Sequence, residues 1–207
     1  MKKITSLLLG FVLIGATSFA QPVADRAVVP VAVTLNQILR LNVVNGGNIE
    51  FVFNNVADYK SGLTNSVSQY QTDFNVASST PWSLLIWAED PAFVGNDDPN
   101  NTMSLSYVGF SITAGAAGHS FDVEIGANNN VSNLVNALAN AATTLIGCSA
   151  IDGTSNCAGD VVDNSFSIIW QAGTGQGDMI QTSFIDAGID PDRYTNNVFL
   201  DLITSGI

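Results

Sequence analysis

The chain has 207 residues, with 18 acidic side chains against six basic ones and a formal net charge of −12. So few cations exclude a phosphate-binding patch, and with it nucleic acid as a partner; anionic membrane surfaces are excluded on the same Coulombic ground. Apolar residues at 46% and aromatic ones at 9% exclude the composition of a disordered chain.

Lys2 and Lys3 precede the apolar run Leu7–Ile14, and Ser18 and Ala20 stand at −3 and −1 of a cut before Gln21. That order is the pattern of a secretory signal peptide over residues 1–20. A membrane anchor is the alternative, but the run is short of the roughly 20 apolar residues that span a bilayer. Removing it leaves residues 21–207, expected to form a single domain with no transmembrane segment. Only Arg26, Arg40, Lys60 and Arg193 then face the 18 acids, a formal charge of −14. Its bland reading is solubility through surface self-repulsion.

Val28–Val33 reads as an entering strand, with Pro30 confining part of it to an edge. Leu35–Val44 and Ile49–Phe53 read as two arms of a hairpin around Asn45-Gly46-Gly47-Asn48, whose residues accept positive φ. Tyr59–Ser68 reads as loop, and Tyr70–Ala77 as a loosely alternating strand broken at Pro81. Trp82–Ala88 is the strongest central strand, with Trp82, Leu84 and Ile86 on one face and Leu85 and Trp87 on the other. Two tryptophans of opposite parity cannot share one sugar platform, so at least one belongs to the core.

Glu89–Thr102 reads as loop. Met103–Thr113 alternates with a phase change that suggests a bulge near Val108 and Gly109. Phe121–Ile125 is a short strand, and Val131–Ile146 begins helical or irregular and ends as a strand. Asn164–Gln171 alternates Phe166, Ile168 and Trp170; Gly173–Asp178 is a hairpin turn; Tyr194–Thr204 alternates to the end. Many short strands with turn signals between them predict an all-β, antiparallel β-sandwich, immunoglobulin-like or pilin-like, with at most one short helix. Its expected core is Phe51, Phe53, Trp82, Leu84, Ile86, Phe110, Phe166, Ile168, Val198 and Leu200.

Cys148 and Cys157 bracket eight residues, most simply a disulfide across a local loop in an oxidising compartment. Such a loop stabilises by on the order of 2–3 kcal/mol in the chain-entropy model. A metal or redox pair is the alternative, but the spacing is not C-x-x-C and His119 is the sole histidine. No catalytic or cofactor-binding residue is assigned. His119 sits in a Gly/Ala-rich loop without a G-x-S-x-G elbow, and Gly173-Thr174-Gly175-Gln176-Gly177 lacks the ending of a phosphate loop. The oxygen-rich run holding Asp90, Asp97 and Asp98 is a candidate Ca²⁺ site, although its spacing matches no EF-hand; a solvated acidic loop is the favoured reading. Asp186, Asp190 and Asp192 form a second, equally loose acidic group.

Trp82-Ser83-Leu84 resembles the W-x-L motif of WxL-type cell-surface proteins. Asp192–Leu202, a Tyr opening a Thr- and Val-rich run, resembles the closing strand of WxL and fimbrial-pilin sandwiches. Phe199-Leu200-Asp201-Leu202 stands where a second W-x-L is expected. The resemblance implies a secreted β-sandwich surface protein and carries over no functional residue. Together these readings give an extracellular structural or adhesive module, or a subunit of a cell-surface assembly. It would lie outside a bacterial cell, on its surface or in the periplasm, with other surface proteins, itself or surface glycans as partners. The alternative is a secreted carbohydrate-active or other hydrolytic enzyme, which needs two placed carboxylates.

Overall fold

The computed structural model describes residues 27–64, 69–114, 135–147 and 157–204. The chain divides into two compact units, Met1–Leu35 and Asn36–Ile207. In the second unit β1 (Leu39–Asn45), α1 (Val56–Ser61), β2 (Gln71–Ser78), β3 (Trp82–Ala88), β4 (Ala92–Gly95), β5 (Thr102–Ser104) and β6 (Val108–Ala114) come first. β7 (Asn136–Ala137), β8 (Thr143–Gly147), β9 (Ser165–Ala172), β10 (Tyr194–Thr195) and β11 (Val198–Thr204) follow. They form a five-stranded sheet β1-β2-β9-β6-β7 and two three-stranded sheets, β11-β3-β8 and β10-β4-β5. Among the described residues every ladder between strands is antiparallel. The all-β antiparallel class read from the sequence is the class observed.

Period-2 alternation explains which strands hold the core. In β2 and β9 every second side chain is buried, with Phe74, Val76, Phe166 and Ile168 inward. In β3 Trp82, Leu84 and Ile86 are buried. The five-stranded sheet and the β11-β3-β8 sheet share this core: Trp82 meets Phe166 edge to face at 6.0 Å, and Phe166 stacks on Phe74 at 5.4 Å. The indole N–H of Trp82 donates to the Cys157 carbonyl at 2.8 Å, and that of Trp170 to Thr72 Oγ1 at 2.9 Å. Buried donors without such partners would cost about 1–3 kcal/mol each. A smaller cluster of Met103, Tyr107 and Phe184 supports the β10-β4-β5 sheet.

Of the expected core, Trp82, Leu84, Ile86, Phe110, Phe166 and Ile168 are buried, while Phe51, Phe53, Val198 and Leu200 are half-buried. The half-buried ones belong to edge strand β11 and to the stretch after β1. Leu39 and Leu41 of β1 and Leu202 of β11 share that state. β1 and β11 approach one another without forming a ladder, so the core is half-open along this seam.

Several local expectations are corrected. Val28–Val33 forms no strand; a β-branched run needs a ladder partner, and Pro30 has no N–H to give one. The hairpin around Asn45–Asn48 does not form, because β2 takes the edge of β1. Gly46, at φ +66°, passes so close to β2 that a Cβ there would strike the Gln71 carbonyl. Ile49, Phe51 and Phe53 still alternate inward without a ladder, Phe51 lying on Tyr70 at 4.4 Å. Tyr59–Ser61 belongs to α1, started by Asn55, whose side chain accepts from the Asp58 N–H at 3.0 Å. β4 interrupts the loop expected over Glu89–Thr102.

The phase change before Gly109 is a turn of 3₁₀ helix over Leu105–Tyr107 rather than a bulge. Gly173–Asp178 turns at three positive-φ glycines, but β9 pairs with β2 and β6, so it closes no hairpin. Val131–Ile146 ends in β8 as expected; among its described residues, from Val135 on, there is no helix. Phe121–Ile125, His119 and Cys148 lie outside the described residues, and so does the proposed Cys148–Cys157 bridge as a pair. Among the described residues no helix is long and apolar enough to cross a membrane.

Candidate functional site

The acidic segments separated in sequence come together at one loop. Asp192 accepts hydrogen bonds from the backbone N–H of Asp97 at 3.0 Å and of Asp98 at 3.1 Å. It also accepts from its neighbour Arg193 N–H at 2.7 Å and from the Asn101 amide at 3.0 Å. The Asp97 N–H leads in holding the Asp192 carboxyl down to about 2. The carboxylate therefore works as a clasp on the 96–101 loop, and Gly95 lacks a Cβ where one would strike it. Asp98 accepts from the Asn100 backbone and amide at 2.9 and 2.8 Å. Asp90 is tied through its backbone to Asn196.

Thus Asp97 and Asp98 meet the second acidic group through their backbone N–H groups, with Asp192 as acceptor. Among the described residues no group of three or more His, Cys, Asp or Glu side chains is placed to hold a metal ion. Nothing in the local sequence marks Asp192 for this role, because the loop donors it holds, Asp97, Asp98 and Asn101, are more than 90 residues away.

A cavity of about 250 Å³ lies among Ile86, Phe110, Asn136, Leu138, Thr143 and Asp178. Asp178 is the only carboxylate on its described wall, whereas glycoside hydrolysis needs two flanking the scissile bond. Asp73, the other perturbed acid among the described residues, is held below the usual carboxylate range by hydrogen bonds from the Gln71 amide and the Ser167 hydroxyl, at 2.6 Å each. The Gln71 bond lies within β2, and the Ser167 bond ties β2 to β9 across the sheet.

The most distinctive surface belongs to β11 and β3. Their register places Phe199 opposite Trp87, Asp201 opposite Leu85 and Ile203 opposite Ser83. All six point away from the core, because the alternate residues Trp82, Leu84, Ile86 and Ala88 are buried. Beyond the ladder Glu89 N–H bonds the Asn197 carbonyl, and the Asn197 amide donates to Glu89 Oε2 at 2.5 Å. Trp87 and Phe199 touch at a centroid distance of 4.7 Å with a 36° tilt. The Trp87 indole N–H donates to Asp201 Oδ2 at 2.7 Å. The opposite parity of the two tryptophans was legible in the sequence; that Phe199 would be the neighbour of Trp87 depends on strand register.

No model of a known protein family matches this chain, and a search of curated proteins found no relative.

Proposed function

We propose that this chain is an extracellular structural or adhesive β-sandwich module, exported through residues 1–20, and a subunit of a cell-surface assembly. The single observation that supports this most is the half-open seam between β1 and β11. Among the described residues β1 and β11 are edge strands with no ladder partner on that side, and their inward side chains stay half-buried. The segment 27–35 has the complementary chemistry. Val29, Val31, Val33 and Leu35 alternate, and they are 77%, 83%, 79% and 90% exposed. As an added strand on the open part of one of these edges in a second copy it would bury one apolar face and complete one ladder. Pro30 fits that role in the register where odd residues bond the receiving edge, because its missing N–H then faces away. The resemblance to secreted surface sandwiches points the same way.

The test compares a chain starting at Gln21 with one starting at Leu35 by light scattering over a range of ionic strength. The acidic surface opposes association at low salt, so the longer chain should form oligomers as salt rises, and the shorter one should stay monomeric. Equal assembly of the two, or none from either at any ionic strength, overturns the reading.

A further inference from the structure

We propose that the outer face of the β3–β11 ladder docks a basic, extended segment of a partner protein, with an arginine side chain stacked on the Trp87–Phe199 pair. Docking there is independent of self-assembly, because it uses the solvent face of β11 and leaves the seam untouched.

The charge on this face is of one sign. β3, β8 and β11 contain no Lys or Arg, and Asp201 and Glu89 border the rings from opposite ends. Among the described residues the cations are Arg40 on β1, Lys60 on α1, and Arg193, which pairs with Glu50 at 3.3 Å. The negative faces of the aromatic rings add to this field.

The hydrogen-bonding character is equally one-sided. The indole N–H is already given to Asp201, and the Asn197 amide donates to Glu89. What the border of the ring pair presents is dominated by carboxylate acceptors. A sugar brings hydroxyls that seek donors as well as acceptors, whereas a guanidinium is five donors with no acceptor and a flat face that stacks on rings. The face is also set before anything binds, since the bond to Asp201 and the contact with Phe199 fix the indole plane.

Spacing selects the shape of the partner. The Glu89–Asn197 row, the Trp87–Phe199 row and the Leu85–Asp201 row succeed one another every second residue. At about 3.3 Å per residue the outer two rows are about 13 Å apart. An extended peptide repeats its side chains with the same period, so basic residues at i, i+2 and i+4 would meet Glu89, the rings and Asp201 in turn.

Calorimetric titration of the chain starting at Gln21, at physiological salt, tests this with three probes. They are the peptide Arg-Ser-Arg-Ser-Arg, its citrulline counterpart, and cellohexaose. The arginine peptide should bind at least tenfold more tightly than either of the others. Trp87→Ala, Phe199→Leu and Asp201→Asn should each weaken it at least tenfold, with Phe199→Leu retaining apolar bulk in case Trp87→Ala does not fold. Asp97→Asn, which removes the same charge from an exposed loop on another sheet, should change affinity less than twofold. Equal losses from Asp97→Asn and Asp201→Asn would reduce the effect to bulk charge and overturn the proposal. So would indifference to Phe199→Leu, or a cellohexaose affinity equal to that of the arginine peptide.

Discussion

Trp82 and Trp87 occupy the same strand with opposite parity, and replacing each by Phe should separate core from surface. Trp82 is fully buried, packs edge to face on Phe166 and donates to the Cys157 carbonyl at 2.8 Å. Trp82→Phe removes two buried ring carbons, at about 0.8 kcal/mol each. It also removes a buried donor whose partner then loses a bond, at about 1–3 kcal/mol. The sum is about 3–5 kcal/mol, which for a folded unit of this size lowers Tm by roughly 6–20 °C. Trp87→Phe keeps the ring contact with Phe199 and loses one exposed hydrogen bond to Asp201. Its cost should stay below about 1 kcal/mol, or roughly 4 °C. Thermal melts followed by circular dichroism in one buffer measure both. Similar losses for the two variants, or a larger one for Trp87→Phe, would refute the assignment of faces and the docking surface built on it.

Acid should act through the clasp. Because the Asp192 carboxyl is held at about 2, below its unfolded value of about 3.9, its stabilisation is complete above about pH 4 and is lost as pH falls through about 2. Asp192→Asn should melt lower at pH 7 and lose less stability between pH 4 and 2 than the parent chain. Asp73, shifted in the same direction, leaves a residual slope, and identical acid slopes for the two proteins would remove Asp192 as the cause. Gly95→Ala should destabilise by about 1–3 kcal/mol, since its Cβ meets the Asp192 carboxylate and, at 2.7 Å, the Asp98 carbonyl; urea unfolding at neutral pH reads it, and a loss below about 0.5 kcal/mol would show that the loop yields freely.

Legibility in the sequence followed how local the determinant was. β2, β3 and β11 alternate strictly, and β9 does so up to Trp170, because one face of each packs on the core; their inward residues could be read directly. Partners could not, since Asn45–Asn48 has the chemistry of a hairpin turn and β1 nevertheless pairs with β2 across an intervening helix. β4 has four residues and its burial does not alternate, so it carried no pattern to find. α1 is six residues with no buried side chain, and only its capping Asn55 marked it. The acidic runs were visible, but their joining at Asp192 is a property of β10 and β4 lying side by side. Trp87 could be placed on the outer face, while the aromatic row needed the register of a strand more than a hundred residues away.

That distance has a consequence in time. β3 lies between β8 and β11, and its bond from Trp87 to Asp201 spans 114 residues. The clasp from Asp98 to Asp192 spans 94. Contacts of such separation form late, since the loop they close must be ordered before they stabilise anything. During synthesis the earlier strands have no completed β11-β3-β8 sheet to settle into, and the core side of β3 stays uncovered on its β11 flank. The β11 edge of this sheet therefore forms only after the last described strand has emerged. Until then the Trp82–Ala88 segment, apolar on both faces and without its β11 neighbour, is an aggregation-prone stretch.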